Sequence, residues 1–154
     1  MKLHWFTFTF EQFSTHQLYE VLALRSQVFV VEQNCIFQDM DGSDQKALHI
    51  CGYDMQEKGP VLVAYARVFR AGIKFAEAAI GRVLTHSQYR YKGLGHLVVQ
   101  QSLIAIQENY GAQAIRIGAQ MQLENFYQQH GFLATGAPFF EDGIEHLEML
   151  RVLE

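Results

Sequence analysis

The sequence predicts a mixed α/β domain, a single sheet with parallel pairing in its middle, antiparallel pairing at its flanks and helices on both faces. Three observations predict it. Strand-like and helix-like apolar periodicities succeed one another along the whole chain. Strand–helix–strand units in the middle require parallel neighbours, whereas turn-linked strand pairs on either side require antiparallel ones. The 154 residues, 49% hydrophobic and 18% charged, are enough for one packed core and leave little room for a second.

The elements follow in order. Residues 3–10 alternate polar and apolar side chains and suit a first strand. Ser14 followed by Gln17 is a capping box, so a helix starts there. Leu18, Val21, Leu22, Arg25, Val28 and Phe29 recur at helical spacing and carry that helix to about Val31. Residues 35–45 form a loop rich in Asp and Gly. Residues 47–55 and 61–70 are strand-like runs joined by turn residues, a hairpin, and residues 78–86 make another strand. A helix over 95–110 ends at Gly111, a strand covers 114–119, and a short helix over 123–130 is closed by Gly131. Residues 132–137 and 144–152 are the last strands, with Asp142-Gly143 as a turn.

Composition excludes several function classes. A net charge of −4 argues against general nucleic-acid binding, which needs clustered Lys and Arg. The start of the chain lacks the basic and continuous apolar runs of a secretory signal, and no window approaches a membrane span. Two cysteines, Cys35 and Cys51, make no disulfide framework and lack zinc-ligand spacing, so a reduced cytoplasmic setting is expected, with each as a small buried hydrophobe. No metal is expected. Asp39-Met40-Asp41-Gly42-Ser43-Asp44 is not a calcium loop, because its Gly falls at position 4 rather than 6, and it reads as a solvated acidic loop.

The strongest local signal is Arg90-Tyr91-Lys92-Gly93-Leu94-Gly95, which follows a strand and opens a helix. Glycines admit close backbone approach, and free N–H groups at a helix start favour an anion, here a pyrophosphate flanked by Arg90 and Lys92. A Walker loop needs Gly-Lys-Ser/Thr, a dinucleotide fingerprint needs a third Gly after Gly95, and a kinase loop needs partner motifs; all are absent. On these residues alone, a plain strand-to-helix turn explains the two glycines equally well.

Arg90-x-x-Gly93-x-Gly95, followed by Asn125-Phe126-Tyr127-Gln128-Gln129-His130-Gly131-Phe132, resembles the GNAT acetyltransferase superfamily. The stretches 24–35, 39–44, 80–83 and 141–146 resemble its ElaA branch in particular, so that the resemblance spans nearly the whole chain, a single GNAT domain over 1–154. Tyr91 stands where many members have glycine. The resemblance implies a sheet of about seven strands that splays between its fourth and fifth. It implies acetyl-CoA as acyl donor, its pyrophosphate on Arg90, Tyr91, Lys92, Gly93, Leu94 and Gly95, and its pantetheine arm beside Val83, Leu84 and Thr85. Asn125 and Tyr127 lie in the matched fourth-helix segment and are assigned to the coenzyme site with them. An N–H near Leu84 would then polarise the thioester carbonyl.

The implied chemistry is direct attack of a primary amine on the thioester. Tyr127 is the expected acid for the leaving thiolate, a phenol that can donate and be restored, with a core tyrosine as the alternative. The base is open among His146, Glu141, His49 and Glu32, with His146 first, since it sits in the ElaA-like segment. Glu141 and Asp142 instead suit a cationic substrate. Two other classes share these features: an acyl-homoserine-lactone-synthase-like acyltransferase, faintly resembled by Arg25-x-x-Val28-Phe29 and the acidic loop, and a non-catalytic acyl-CoA-binding module. The acceptor is a small-molecule or peptide amine of unread identity. No nucleic-acid or membrane partner is expected, and a homodimer is the assembly carried forward.

Overall fold

A computed structural model describes residues 1–90 and 92–153. Alternation makes β1 (Leu3–Thr9), which pairs antiparallel with β2 (Leu48–Gln56). β2 turns into β3 (Gly59–Phe69), and β3 pairs antiparallel with β4 (Ala78–Thr85). β5 (Ile115–Gln120) joins β4 in parallel and β8 (Ile144–Arg151) antiparallel, with β6 (Leu133–Ala134) and β7 (Phe139–Glu141) both on β8. The order is β1-β2-β3-β4-β5-β8-β6, with β7 beside β8.

The sheet thus has eight strands rather than about seven. The expected strand over 132–137 is reduced to the two residues of β6, and pairing resumes only at Phe139. Pro138 lies in the gap and has no N–H to give to a ladder. Asp142 and Gly143 both have positive φ, 52° and 77°, the geometry of the tight turn expected there.

α1 (Thr15–Arg25) begins as its capping box requires: Gln17 N–H donates to the Ser14 hydroxyl at 3.1 Å, and Ser14 N–H to the Gln17 side chain at 2.9 Å. The expected single helix to Val31 changes character at Ser26. Ser26–Glu32 is a π-helical segment, and Cys35 N–H reaches back to the Val30 carbonyl. Val28, Phe29, Val30 and Val31 are weak helix formers, and the wider winding falls on them. α2 (Leu94–Tyr110) stops at Gly111, whose φ is 88°. α3 (Glu124–Gln128) is shorter than its expected span and closes before Gly131.

Two cores lie on opposite faces of the sheet. α2 places Leu94, Val98, Val99, Ala105 and Ile106 against Ile50, Val63, Val68 and Ile80. Val21 of α1 and Val28 pack on Cys51, Tyr53, Leu62, Tyr65 and Leu84. Among the described residues, no helix is long and apolar enough to cross a membrane.

The acidic loop is not solvated as expected. Asp39 and Asp44 are buried and paired with Arg25, itself 0% exposed: Arg25 Nε donates to Asp39 at 2.9 Å and Nη1 to Asp44 at 2.7 Å. Arg67 bridges Asp44 and Asp41, and Arg82 Nε donates to Asp39 at 2.7 Å. Buried guanidinium groups need compensating charge, and this loop supplies it. The network clamps the loop onto β3 and β4, beside the opening described next.

Candidate active site

Only two residue pairs join the middle strands, Ala78–Ile115 and Ala79–Arg116. Beyond them β4 and β5 part, and a groove of about 800 Å³ opens between residues 80–85 and 117–120. This is the splay expected between the fourth and fifth strands. β3 holds one edge of β4, while the edge turned to β5 loses its strand partner past Ala79. Val83, Leu84 and Thr85 line the groove.

β4 is irregular here. Its register against β3 slips between Tyr65–Leu84 and Arg67–Gly81, so Ala66 opposes both Arg82 and Val83. Arg82 sits at φ 53°, a left-handed conformation costly for a residue with a Cβ. Its pairing with Asp39 holds it there. A bulge re-aims backbone groups, and this one lies at the groove wall. The sequence gives no sign of it, because arginine is not a residue that announces positive φ.

After β4, a 3-10 turn over Ser87–Tyr89 ends at Arg90, which leads into the glycine loop. Gly93 has φ 74° and caps the N-terminus of α2 without any side-chain hydrogen bond. The first N–H groups of this 17-residue helix therefore lack a side-chain acceptor. Lys92 and Gly93 are exposed, whereas Leu94 is 1% exposed and offers a ligand only its backbone. A Cβ on Gly95 would lie 3.4 Å from the Phe126 ring, so Gly95 also lets α3 pack closely against α2. Tyr91 lies outside the described residues. Arg90 is not free as the sequence suggests: its Nη1 lies 2.7 Å from the Glu32 carboxylate, and its Nη2 also donates to the Thr85 carbonyl at 3.3 Å.

Tyr127, His146 and Glu141 all line the same groove as β4. Tyr127 is 7% exposed, and burial pushes its phenol well up. Its ring is held edge-on between Phe126 at 5.0 Å and Phe132 at 5.9 Å. His146 Nδ1 lies 2.7 Å from the Ile144 carbonyl, which can only accept. In the neutral ring the proton is therefore on Nδ1 and the lone pair on Nε2. The ring stacks on Phe139 at 5.6 Å. Glu141 and Asp142 are exposed residues of the groove lining, joined there by Glu148, which accepts from Arg116 at 2.7 Å.

Other sequence candidates are not brought to the groove. His49 is 0% exposed, its Nε2 donating to the Asp44 carbonyl at 2.9 Å and its Nδ1 accepting from the Tyr65 hydroxyl at 2.6 Å. Burial holds it neutral, and both nitrogens are engaged, so it cannot receive a proton from a bound amine. Glu32 is occupied by Arg90. Asn125 is exposed on α3 and outside the groove lining. Cys51 is buried, with its thiol pushed up. Cys35 is buried too, and its Sγ donates to the Asp142 carbonyl at 3.1 Å, tying the loop after the π-helical segment to the β7–β8 turn.

Known proteins match the chain along nearly its whole length. The family model described as "Acetyltransferase (GNAT) domain" matches residues 7–153. The protein ElaA of Escherichia coli is 36% identical over 151 residues, 97% of this chain and 96% of that one. Its crystal structure superposes with a TM-score of 0.86, covering 97% of this chain and 99% of that chain. An acyl-CoA N-acyltransferase from Pseudomonas aeruginosa superposes with a TM-score of 0.90 at 31% identity, over 98% of this chain and 100% of that chain.

Proposed function

The chain belongs to the GNAT acetyltransferase family, an acyltransferase by that membership, and from that premise we propose that it moves an acetyl group from acetyl-CoA to a primary amine by direct attack. One observation carries the reading. The groove that opens past Ala79 gathers an unpartnered strand edge, a buried phenol and a histidine with a free Nε2 beside an uncapped helix start.

The residues fit the donor. The open N–H groups of α2 and the Lys92 ammonium suit a pyrophosphate. The free edge at Val83, Leu84 and Thr85 suits an arm that carries amides. An N–H of that edge near Leu84 would stabilise the oxyanion of the tetrahedral intermediate.

The amine nitrogen forms a bond to the thioester carbon, the C–S bond breaks, and the electron pair leaves on sulfur. His146 Nε2 takes the proton from nitrogen. Tyr127 donates to the departing sulfur. Burial raises the phenol, yet a thiolate in the same groove is raised by the same loss of solvent, so the donation is not uphill by the full shift. Glu141 and Asp142 favour a cationic amine at the mouth, to be deprotonated before attack.

Thiol release from acetyl-CoA against a panel of primary amines tests the reading. Release that depends on one amine supports it. Binding of acetyl-CoA with no release from any amine would leave a coenzyme-binding module.

A further inference from the structure

A second cavity lies on the α1 face of the sheet and shares no residue with the acyl-transfer groove. It measures about 500 Å³, within the range of small-molecule sites. Phe6 and Phe8 of β1, Tyr53 and Met55 of β2, and His16 and Glu20 of α1 form its walls. The aromatic rings are ordered among themselves. Phe6 and Phe8 stack at 5.8 Å, and Phe6 meets Tyr53 edge-on at 5.9 Å.

Two polar groups, Glu20 and Tyr53, stand side by side in this apolar setting, and among the described residues no cation pairs with them. Tyr53 is 4% exposed, and its buried hydroxyl lies beside Glu20 without reaching a well-formed hydrogen bond. A buried hydroxyl without a well-formed hydrogen bond is costly, so its persistence points to something that engages it. Glu20 is half-buried, and burial pushes its carboxyl up. Among the described residues no cation lies within ion-pair distance of it, although His16 stands one helical turn before.

We propose that this cavity binds a small organic cation with an apolar body, its charged end on Glu20 and Tyr53 and its body among Phe6, Phe8 and Met55. A carboxylate set among aromatic rings is the chemistry that recognises an organic ammonium. A neutral apolar ligand would leave Glu20 without a cation, and an anion would meet the carboxylate. The site does not depend on the acyl-transfer reading.

Benzyldimethylammonium, the protonated tertiary amine, is the probe, because a tertiary nitrogen forms no stable amide and so cannot act as an acceptor, yet keeps one N–H for Glu20 and Tyr53. Calorimetric titration into the full chain is expected to show saturable binding that prior addition of coenzyme A leaves unchanged. Glu20→Gln keeps the side-chain shape and is expected to weaken the probe about tenfold, with an unchanged thermal melt. Tyr53→Phe, a second variant that removes only the hydroxyl, is expected to weaken it as well. The proposal is overturned by an absence of saturable binding, by wild-type affinity in Glu20→Gln, or by competition from coenzyme A. It is equally overturned if sedimentation finds a dimer that Phe6→Glu dissociates, since a second copy would then cover the cavity.

Discussion

Arg90 and Glu32 form an ion pair, Nη1 to Oε1 at 2.7 Å, that joins the start of the glycine loop to the end of the π-helical segment. Glu32 therefore competes with any phosphate for Arg90. Both side chains are partly exposed, so the pair is worth about 1 kcal/mol at most. Glu32→Gln is expected to tighten acetyl-CoA binding by up to about fivefold, that energy expressed as an equilibrium constant. It should leave kcat with the best amine nearly unchanged, because Glu32 is engaged by Arg90 and lies outside the groove lining. Calorimetry and steady-state kinetics on the same variant check both halves. A large fall in kcat at full coenzyme affinity would return Glu32 to the chemistry.

Lys92 gives the second expectation. It is exposed, with its ammonium 5.6 Å from the centre of the Tyr89 ring and no carboxylate within ion-pair reach among the described residues. Its attraction for a pyrophosphate is screened by salt. Acetyl-CoA affinity is expected to fall between low and physiological ionic strength, and Lys92→Ala is expected to weaken binding and flatten that dependence. A titration series in sodium chloride measures it. Equal slopes for Lys92→Ala and wild type would remove Lys92 from the coenzyme site.

These expectations depend on features of unequal legibility. Ser14 with Gln17, Gly111, and Asp142 with Gly143 were readable because each states a local rule of caps or turns, and each closes as that rule requires. Gly93 was readable for the same reason. The π winding from Ser26, the bulge at Arg82 and the break at Pro138 depend on what the neighbouring strands leave open, which no local pattern records. Asp39 and Asp44 were misread as solvated because their partners, Arg25, Arg67 and Arg82, lie 14 to 43 residues away in sequence. His49 carries no local signal that separates it from the other candidate bases, because its burial is set by distant partners.

The Arg25 network should govern acid stability. Asp44 and Asp41 are both held below the usual carboxylate range, against the opposing effect of burial, by hydrogen bonds and charge from Arg25 and Arg67 for Asp44 and chiefly from Arg67 for Asp41. A carboxylate depressed in the folded state stabilises fully above its unfolded pKa, about 3.9, and loses that contribution as pH falls below it. Stability is therefore expected to decline progressively below about pH 4. Asp44→Ala leaves Arg25 and Arg67 each short of a partner and is expected to cost about 3–5 kcal/mol at neutral pH. Its loss of stability should shrink relative to wild type as the pH is lowered. Chemical denaturation of both proteins across pH is the measurement. Parallel curves would show that Asp44 carries no titrating stability.

His146 and Glu141 share the groove yet should separate kinetically. Removing the Nε2 lone pair with His146→Ala is expected to lower kcat about 10²–10⁴-fold, the usual worth of a positioned base. Glu141→Gln removes only a charge at the mouth and is expected to act mainly on KM for the amine. Reversed effects, kcat falling in Glu141→Gln and holding in His146→Ala, would exchange their roles.

Tyr127→Phe tests the acid. The Tyr127 ring is clamped by Phe126 and Phe132. Tyr127 lines the groove, and Phe keeps the ring that its neighbours hold, so the substitution leaves the packing in place. The thermal melt is expected to stay the same or rise. Acetyl-CoA affinity should also hold, since the hydroxyl acts when sulfur carries charge and that charge exists only on the way to products. What falls is kcat, by about 10²–10⁴-fold if donation to the thiolate limits turnover. A tyrosine that merely packs makes the opposite claim, because Phe fills the same space and kcat would survive with it. Steady-state kinetics, direct binding and a melt on one preparation separate the two. A stable Tyr127→Phe protein at full kcat would assign the proton of the leaving thiol to water and leave the groove to act by positioning alone.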